Sequence, residues 1–330
     1  MKKIALGDSG RYTSRLGFGC SSLMGLMGLR ESLKTLESAF DAGIRHFDVA
    51  PMYGYGEAER CLGKFLSRHA GEVTITTKYG IAPVRRARFA GAGRRMARPL
   101  VNYFPGLKKR FAGAAKLVMP PQERTRFTAT DAKASLESSL AALRTSHIDV
   151  WLLHEAEAND FESDELLKLL EGEVARGTIG TFGIGSDAAK VPGLLALAPS
   201  YCRTIQYEWS ILDPVVPPGI AFRIHHRSLS ENFRILATAL ARHPAICRRW
   251  SNEINFDLQD FGKLAQLMLK ASLVMNPSSV ILFSSKRPQH IRANARVAED
   301  ASLDAPARKL YHLIQVERST LLNTMETGIQ

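Results

Sequence analysis

The amino-acid sequence predicts an α/β protein that folds as a single-domain (β/α)8 barrel, or TIM barrel, spanning residues 1–330. Short apolar or β-branched segments alternate with longer amphipathic ones, and eight of the short segments have strand character. Such alternation is typical of a parallel sheet covered by helices. A barrel of about 250 residues with one insertion and a C-terminal helical tail accounts for the length.

The eight predicted strands are short, and Val73–Thr77 is β-branched at every position, which is typical of a strand buried on both faces. The predicted strands are Leu16–Cys20, Ile44–Asp48, Val73–Thr77, Ile148–Leu153, Ile179–Ile184, Thr204–Tyr207, Ile220–His225 and Ser279–Phe283.

Helices are predicted where apolar residues recur at helical spacing, and Gly43 and Gly177 stand where two of these patterns end. The predicted helices are Glu31–Ala42, Ala58–Arg68, Thr130–Leu143, Asp164–Arg176, Asp187–Leu197, Glu231–Ala241, Leu258–Leu273 and Pro288–Glu299, followed by a helical tail over about 301–330.

An open, doubly wound sheet would show the same alternation. Such a sheet is expected to carry a glycine-rich dinucleotide-binding turn, and that motif is incomplete in this sequence. Gly17-Phe18-Gly19 and Gly183-Ile184-Gly185 both lack the third glycine at the spacing of that motif. The sequence therefore favours the closed barrel.

The composition is that of an ordinary globular protein, with 45% hydrophobic and 23% charged residues. No apolar run approaches the roughly 20 residues of a membrane helix, and the N-terminus has no apolar segment typical of a signal peptide. The cysteines (Cys20, Cys61, Cys202 and Cys247) are too widely spaced to indicate a zinc site or a disulfide framework. We expect a cytoplasmic protein without a membrane span or a bound metal.

The net charge of +12 is concentrated in an insertion over residues 83–127, after the third strand, which contains twelve basic residues and one acidic residue. Three interpretations remain open. In the first, the segment covers the site and its cations contact an anionic substrate or the cofactor phosphates. In the second, it binds an anionic surface or a protein partner. In the third, it is a solvated loop. Nucleic acid is not expected, since no nucleic-acid-binding motif accompanies the charge.

Polar residues follow three successive predicted strands at the face where barrel enzymes carry their chemistry. The second strand ends at Asp48, the third at Lys78 and the fourth at His154, while Tyr53 lies five residues after Asp48. Each residue alone has an ordinary explanation, as a turn cap, a solvated lysine, an edge histidine or a packing tyrosine. Their occurrence together at one face predicts a catalytic site.

These four side chains suit the reduction of a carbonyl group. Hydride transfer to the carbonyl carbon leaves negative charge on oxygen, which requires a positioned acid. A tyrosine with its usual pKa of about 10 is a weak acid. A neighbouring ammonium group, Lys78, would lower that pKa, and Asp48 would hold the lysine. His154 would hydrogen-bond the substrate oxygen or relay the proton.

The segment FDVAPMYGYGEAERCLGKFL, followed by TTKYG and WLLHE, resembles the aldo-keto reductase family. The order and spacing of Asp48, Tyr53, Lys78 and His154 match that family's catalytic tetrad. The resemblance covers roughly residues 12–82 and 128–300. It implies a (β/α)8 barrel that reduces aldehydes or ketones with NADPH, less often NADH. It further implies that Tyr53 is the general acid.

The same resemblance implies residues that hold the nicotinamide. Ser186 matches the serine of a Ser-Asn pair that binds the carboxamide, although Asp187 takes the place of the asparagine. Gln206 matches a glutamine that contacts the same group. The family has an aromatic residue followed by Ser-Pro-Leu on strand seven, whereas this chain reads IHHRSL. Either His226 supplies the stacking ring or no residue does.

The last strand and its following turn, FSSKRPQHIRAN, are similar to the family's adenosine-phosphate segment. Cations fit a phosphate ester better than a ribose hydroxyl, so this segment favours NADPH. A basic surface turn before a helix is the alternative. The residues implied here are Ser284, Ser285, Lys286, Arg287 and Asn294.

Two other functions remain open. A regulatory protein on the same barrel, such as the channel-associated β-subunits of this family, would retain the tetrad and bind the cofactor with little turnover. An isomerase or lyase without a nicotinamide cofactor is disfavoured, because the tetrad and the phosphate segment occur together.

Overall fold

Eight parallel strands form a closed barrel in a computed structural model that describes residues 1–25, 27–82, 124–161 and 164–326. The predicted barrel is therefore confirmed. The barrel strands are β3 Leu16–Gly19, β4 His46–Asp48, β5 Thr74–Tyr79, β6 Ile148–His154, β7 Ile179–Gly185, β8 Thr204–Glu208, β9 Phe222–His226 and β10 Val280–Phe283. Around the barrel, they follow the order β10-β3-β4-β5-β6-β7-β8-β9.

An antiparallel hairpin that the sequence analysis did not predict precedes the barrel, formed by β1 Lys3–Ala5 and β2 Tyr12–Ser14. Leu6, which follows β1, is fully buried in one cluster with Val150 and Phe222. Both of these residues lie near the start of their strands. The hairpin therefore closes the end of the barrel opposite the strand ends that were predicted to carry the site.

The helices pack around the barrel, and no helix in the described ranges is long and apolar enough to cross a membrane. Their bounds are α1 Leu29–Asp41, α2 Ala58–Leu66, α3 Ala129–Leu143, α4 Asp164–Ala175, α5 Val191–Leu197, α6 Ser230–Arg242, α7 Pro244–Ile254, α8 Phe261–Met275, α9 Pro288–Glu299 and α10 Asp304–Glu326. Helix α7 was not predicted; it follows α6 after a single residue and begins with a proline, which is favoured in the first turn of a helix.

The connection between β8 and β9, residues 209–221, contains no helix. Ile211 and Leu212 in this connection are buried in the same core cluster as Leu310 and Ile314 of α10, which also packs against α6, α7 and α8. The side-chain amide of Gln315 in α10 donates to the carbonyl oxygen of Ile211 over 2.8 Å. Trp250 Nε1 in α7 donates to Oε1 of Glu317 over 3.2 Å. A helix from the far end of the described chain thus occupies this part of the outer ring.

Most of the basic insertion predicted over 83–127 lies outside the described residues. Its return is described: Ile81 and Arg124 form an isolated antiparallel bridge, and the amide of Thr125 donates to the carbonyl oxygen of Gly80 over 2.8 Å. The segment therefore leaves and rejoins the barrel beside the end of β5, the third barrel strand.

Candidate active site

A cavity of about 680 Å³ opens at the C-terminal ends of the barrel strands. Its volume lies within the range of about 300–1,000 Å³ that is usual for small-molecule and cofactor sites. Asp48, Tyr53 and His154 all line it, as do residues at the end of β8 and residues that follow β7, β9 and β10. The structure therefore brings the residues predicted at separate strand ends to one place.

Asp48 and Lys78 form a buried ion pair in the wall between β4 and β5. Lys78 Nζ lies 2.6 Å from Asp48 Oδ1 and also donates to the carbonyl oxygen of Val49 over 3.2 Å. The side chains of Lys78 and Asp48 are only 1% and 4% exposed. Burial acts to lower the pKa of Lys78, but Asp48 and Tyr53 more than offset it, so the net pKa is raised. Lys78 therefore carries its proton at neutral pH.

Tyr53 begins a kinked turn, Tyr53–Gly56, between β4 and α2, in which Gly54 and Tyr55 have left-handed backbone angles. The next residue, Gly54, has a φ of 57°, and a Cβ there would stand 2.5 Å from the carbonyl oxygen of Leu23, so the turn requires glycine. This turn places the Tyr53 ring with its centroid 5.3 Å from Lys78 Nζ.

The pKa of Tyr53 differs from the simple expectation that Lys78 lowers it. Burial is the largest effect and raises the pKa, while the charge and hydrogen bonding of Lys78 lower it by less. The net pKa is therefore raised, and the correction has a physical cause: the tyrosinate loses hydration that one ammonium group does not replace. Tyr53 accordingly keeps its proton at neutral pH.

His154 is the last residue of β6 and pairs with Gly185 of β7 across the barrel wall. Burial, reinforced by the charge of Lys78, lowers the pKa of His154 to about 3. The imidazole is therefore neutral near neutral pH. One ring nitrogen of a neutral imidazole carries a hydrogen and can donate to a carbonyl oxygen.

Gln206 lines the cavity from β8 and makes a contact that the sequence did not indicate. Its Nε2 donates to Asp48 Oδ2 over 2.7 Å, so both carboxylate oxygens of Asp48 have donors. The residue implied as a cofactor contact is therefore also hydrogen-bonded to Asp48, one of the four residues of the predicted tetrad.

Ser186 and His226 lie in the wall at the ends of β7 and β9. Ser186 is 7% exposed, and its hydroxyl has no hydrogen-bond partner among the described residues. A buried hydroxyl without a partner is costly unless a ligand satisfies it, so the site fits a polar group such as a carboxamide. Burial lowers the pKa of His226 to about 4, which leaves a neutral ring.

The residues implied for the adenosine phosphate lie at the rim. Ser284 and Asn294 line the cavity. Ser285 accepts a hydrogen bond from the amide of Arg287 over 3.2 Å, and Lys286 and Arg287 are exposed in the turn before α9. The two cations therefore lie beside the cavity, next to Ser284, rather than in its lining.

Several lining residues were not predicted. Glu155, Asp187, Arg227 and Ser228 also line the cavity, together with Glu208 at the end of β8. The available signal was position, because the first three directly follow His154, Ser186 and His226. The expectation that polar residues at strand ends form the site therefore also applies to the residues that directly follow them.

Comparison with known families supplies the deciding observation: residues 15–227 match the sequence profile of the Aldo/keto reductase family. The chain belongs to the aldo-keto reductase family. The matched residues include the predicted tetrad and Gln206, and the match ends within the segment that follows β9.

Two curated relatives of this aldo-keto reductase are dehydrogenases. A pyridoxal 4-dehydrogenase of Microbacterium luteolum is 42% identical over 82 residues, covering 24% of each chain. A D-threo-aldose 1-dehydrogenase of a Pseudomonas species is 30% identical over 191 residues, covering 55% of this chain and 53% of that protein. The chain thus spans about half, or less, of the length of these relatives.

A solved aldo-keto reductase of Klebsiella pneumoniae, in complex with NADPH, has the same fold with a TM-score of 0.62. It is 19% identical, and the superposition covers 94% of this chain and 95% of that one. At this identity the likeness concerns the fold.

Proposed function

We propose that this aldo-keto reductase interconverts a carbonyl group and an alcohol by hydride transfer, reducing an aldehyde or ketone with NADPH. One observation carries the proposal: Asp48, Tyr53 and His154 line one cavity, and the buried Lys78 is bound to Asp48 behind it.

Each of these side chains has a role that follows from its surroundings. Tyr53, whose pKa is raised, keeps its proton at neutral pH and donates it to the developing alkoxide. The Lys78 ammonium stabilises the tyrosinate that remains, and Asp48 holds Lys78 in place. Neutral His154 donates a hydrogen bond to the carbonyl oxygen and orients it.

The cofactor would supply the hydride, and the residues present fit it. The unpartnered hydroxyl of Ser186, the Gln206 amide and the neutral His226 ring would hold the nicotinamide group. NADPH is preferred to NADH because the exposed cations Lys286 and Arg287 suit a 2′-phosphate. The Ser284, Ser285 and Asn294 side chains would complete that end.

The substrate is proposed to be a small carbonyl compound or its alcohol. The two curated relatives act on pyridoxal and on an aldose, according to their names. These compounds define a first substrate panel, to be assayed in both directions.

Tyr53→Phe tests the proposal, with Tyr12→Phe as the matched control because Tyr12 is 69% exposed and lies in the hairpin at the other end of the barrel. We expect Tyr53→Phe to abolish reduction while NADPH affinity, measured by fluorescence titration, stays at the wild-type value, since only the proton donor is lost. Near-normal turnover in this variant would show that another group is the acid. Wild-type protein that retains NADPH tightly and turns over no carbonyl compound would favour the regulatory alternative.

A further inference from the structure

The cavity lining contains four carboxylates, and three of them have a cationic partner. The pairs are Asp48 with Lys78, Glu208 with Arg227 and, over 3.9 Å, Asp187 with Lys190. The fourth carboxylate belongs to Glu155, which forms no ion pair with the side chains of the described residues. Glu155 therefore carries the uncompensated negative charge of the described cavity wall.

The backbone at Glu155 does not account for a glutamate at this position. Its φ is 55°, in the left-handed region, which is unfavourable for a residue with a Cβ and is adopted more readily by glycine or asparagine. Its amide donates to the carbonyl oxygen of Gly185 over 2.6 Å, so the end of β7 holds it in this conformation. The contribution of this residue must therefore come from its side chain.

Glu155 lies in the part of the wall that the proposed cofactor leaves to the substrate. It directly follows His154, which is proposed to donate a hydrogen bond to the carbonyl oxygen. The residues proposed to hold the nicotinamide lie instead at the ends of β7, β8 and β9. A carbonyl compound held by His154 therefore lies beside Glu155. In this respect the inference rests on the proposed function.

The charge of Glu155 acts on a substrate more strongly than it would in bulk water. The residue is exposed, but it lines a cavity whose walls replace part of the surrounding solvent. Opposite charges a few ångströms apart attract more strongly near a protein surface than in water. The neighbouring His154 does not offset the carboxylate, because burial lowers its pKa to about 3 and leaves the ring neutral.

We propose that Glu155 selects substrates by charge. Carbonyl compounds that carry an ammonium group near the carbonyl are favoured, and compounds that carry a carboxylate or a phosphate there are disfavoured. One interpretation of the basic insertion was contact with an anionic substrate. The two expectations are opposite, so one set of measurements separates them.

The experiment compares two aldehydes of similar size and opposite charge, para-trimethylammoniobenzaldehyde and para-carboxybenzaldehyde. The charge preference is the ratio of their kcat/KM values, measured at two salt concentrations for wild type, Glu155→Gln and Glu155→Asp. The electronic effects of the two substituents are the same in every variant, so they cancel when ratios are compared. The matched control is Glu137→Gln, because Glu137 is exposed on α3 and is not part of the cavity lining.

We expect Glu155→Gln to lower the charge preference by about tenfold and to remove its dependence on salt. Glu155→Asp should retain part of the preference, and Glu137→Gln should match wild type. A charge preference in Glu155→Gln equal to that of wild type would overturn the inference.

A binding measurement separates failure of this inference from failure of the proposed function. Benzyltrimethylammonium and benzoate, which cannot be reduced as aldehydes, are titrated by calorimetry into wild type and Glu155→Gln. If wild type reduces neither aldehyde, the proposed function fails, but a preference for the cation that is lost in Glu155→Gln would still support selection by charge. Binding of neither ion, tighter binding of benzoate by wild type, or an unchanged preference in the variant would overturn it.

Discussion

Gln206 donates a hydrogen bond to Asp48 Oδ2 over 2.7 Å, while the Lys78 ammonium lies 2.6 Å from the other carboxylate oxygen, Oδ1. The two donors fix the carboxylate between β5 and β8. Since Lys78 in turn faces the Tyr53 ring, Gln206 is connected through Asp48 and Lys78 to the residue that we propose as the proton donor.

Replacing Gln206 with leucine should therefore affect stability as well as turnover. A buried carboxylate oxygen without its donor costs about 1–3 kcal/mol, so the free energy of unfolding in urea should fall by that amount. The control is Gln259→Leu, at an exposed position in the loop before α8. Equal stability of Gln206→Leu and wild type would show that the hydrogen bond to Asp48 contributes nothing.

Lys78→Met should be more severe, because it leaves the buried charge of Asp48 unpaired. Removing one partner of a buried ion pair costs about 3–5 kcal/mol. The double variant Lys78→Met with Asp48→Asn should recover most of that stability, since both charges are gone, while neither variant should reduce a substrate. Urea unfolding and a carbonyl-reduction assay check the two expectations; a double variant as unstable as the single one would argue against an electrostatic cause.

Acid should destabilise the protein through four histidines, of which His46 and His225 are buried and His154 and His226 are partly buried in the cavity wall. Burial lowers the pKa of each below its usual value of about 6.5, to about 4 for His46 and His226 and about 3 for His154 and His225. Between about pH 4 and pH 6.5 the unfolded chain binds these protons and the folded chain does not, so stability falls as the pH is lowered through this range. The urea midpoint at about pH 5 should lie well below that at about pH 7.5. Equal midpoints would mean that the four rings titrate alike in both states.

Cofactor preference should depend on the turn before α9. Lys286→Ala combined with Arg287→Ala should narrow the ratio of NADPH to NADH affinity, because the exposed cations that suit a 2′-phosphate are lost. Arg308→Ala with Lys309→Ala, which removes the same charge from α10, is the control. A ratio that stays at the wild-type value would remove Lys286 and Arg287 from the phosphate site.

Substitutions on the buried face of α10 should destabilise the protein, whereas substitutions on its exposed face should have little effect on stability. Leu310 is fully buried in this helix, so Leu310→Ala should lower the free energy of unfolding by about 2–5 kcal/mol. Val316 is 64% exposed in the same helix, and Val316→Ala should change stability by no more than about 0.5 kcal/mol. Similar effects of the two substitutions would show that α10 does not stabilise the barrel through its buried face.

The sequence was sufficient to predict the barrel and the meeting of Asp48, Lys78 and His154. Parallel strands of one barrel all end at the same face, so residues at successive strand ends become neighbours whatever the lengths of the connections. The family match over residues 15–227 agrees with this reasoning. The roles assigned to these residues remain proposals.

The contact between Gln206 and Asp48 could not be predicted, because it joins residues 158 positions apart and exists only once the barrel is closed. The direction of the Tyr53 pKa shift was also beyond the sequence, since it depends on how far burial outweighs Lys78. The hydrogen bond from Gln315 to the carbonyl oxygen of Ile211 could not be predicted either. Periodicity predicts that the tail is helical, but not which part of the barrel it packs against.

The position of α10 has a consequence for synthesis on the ribosome. Ile211 and Leu212 are buried in the finished protein in one cluster with Leu310 and Ile314, yet they are made about a hundred residues earlier. While α10 is still in the exit tunnel, the core cluster around Ile211 and Leu212 lacks the side chains of Leu310 and Ile314. Exposed apolar surface on an incomplete fold is what aggregates and what chaperones bind. The burial of Ile211 and Leu212 is therefore completed only after α10 has emerged.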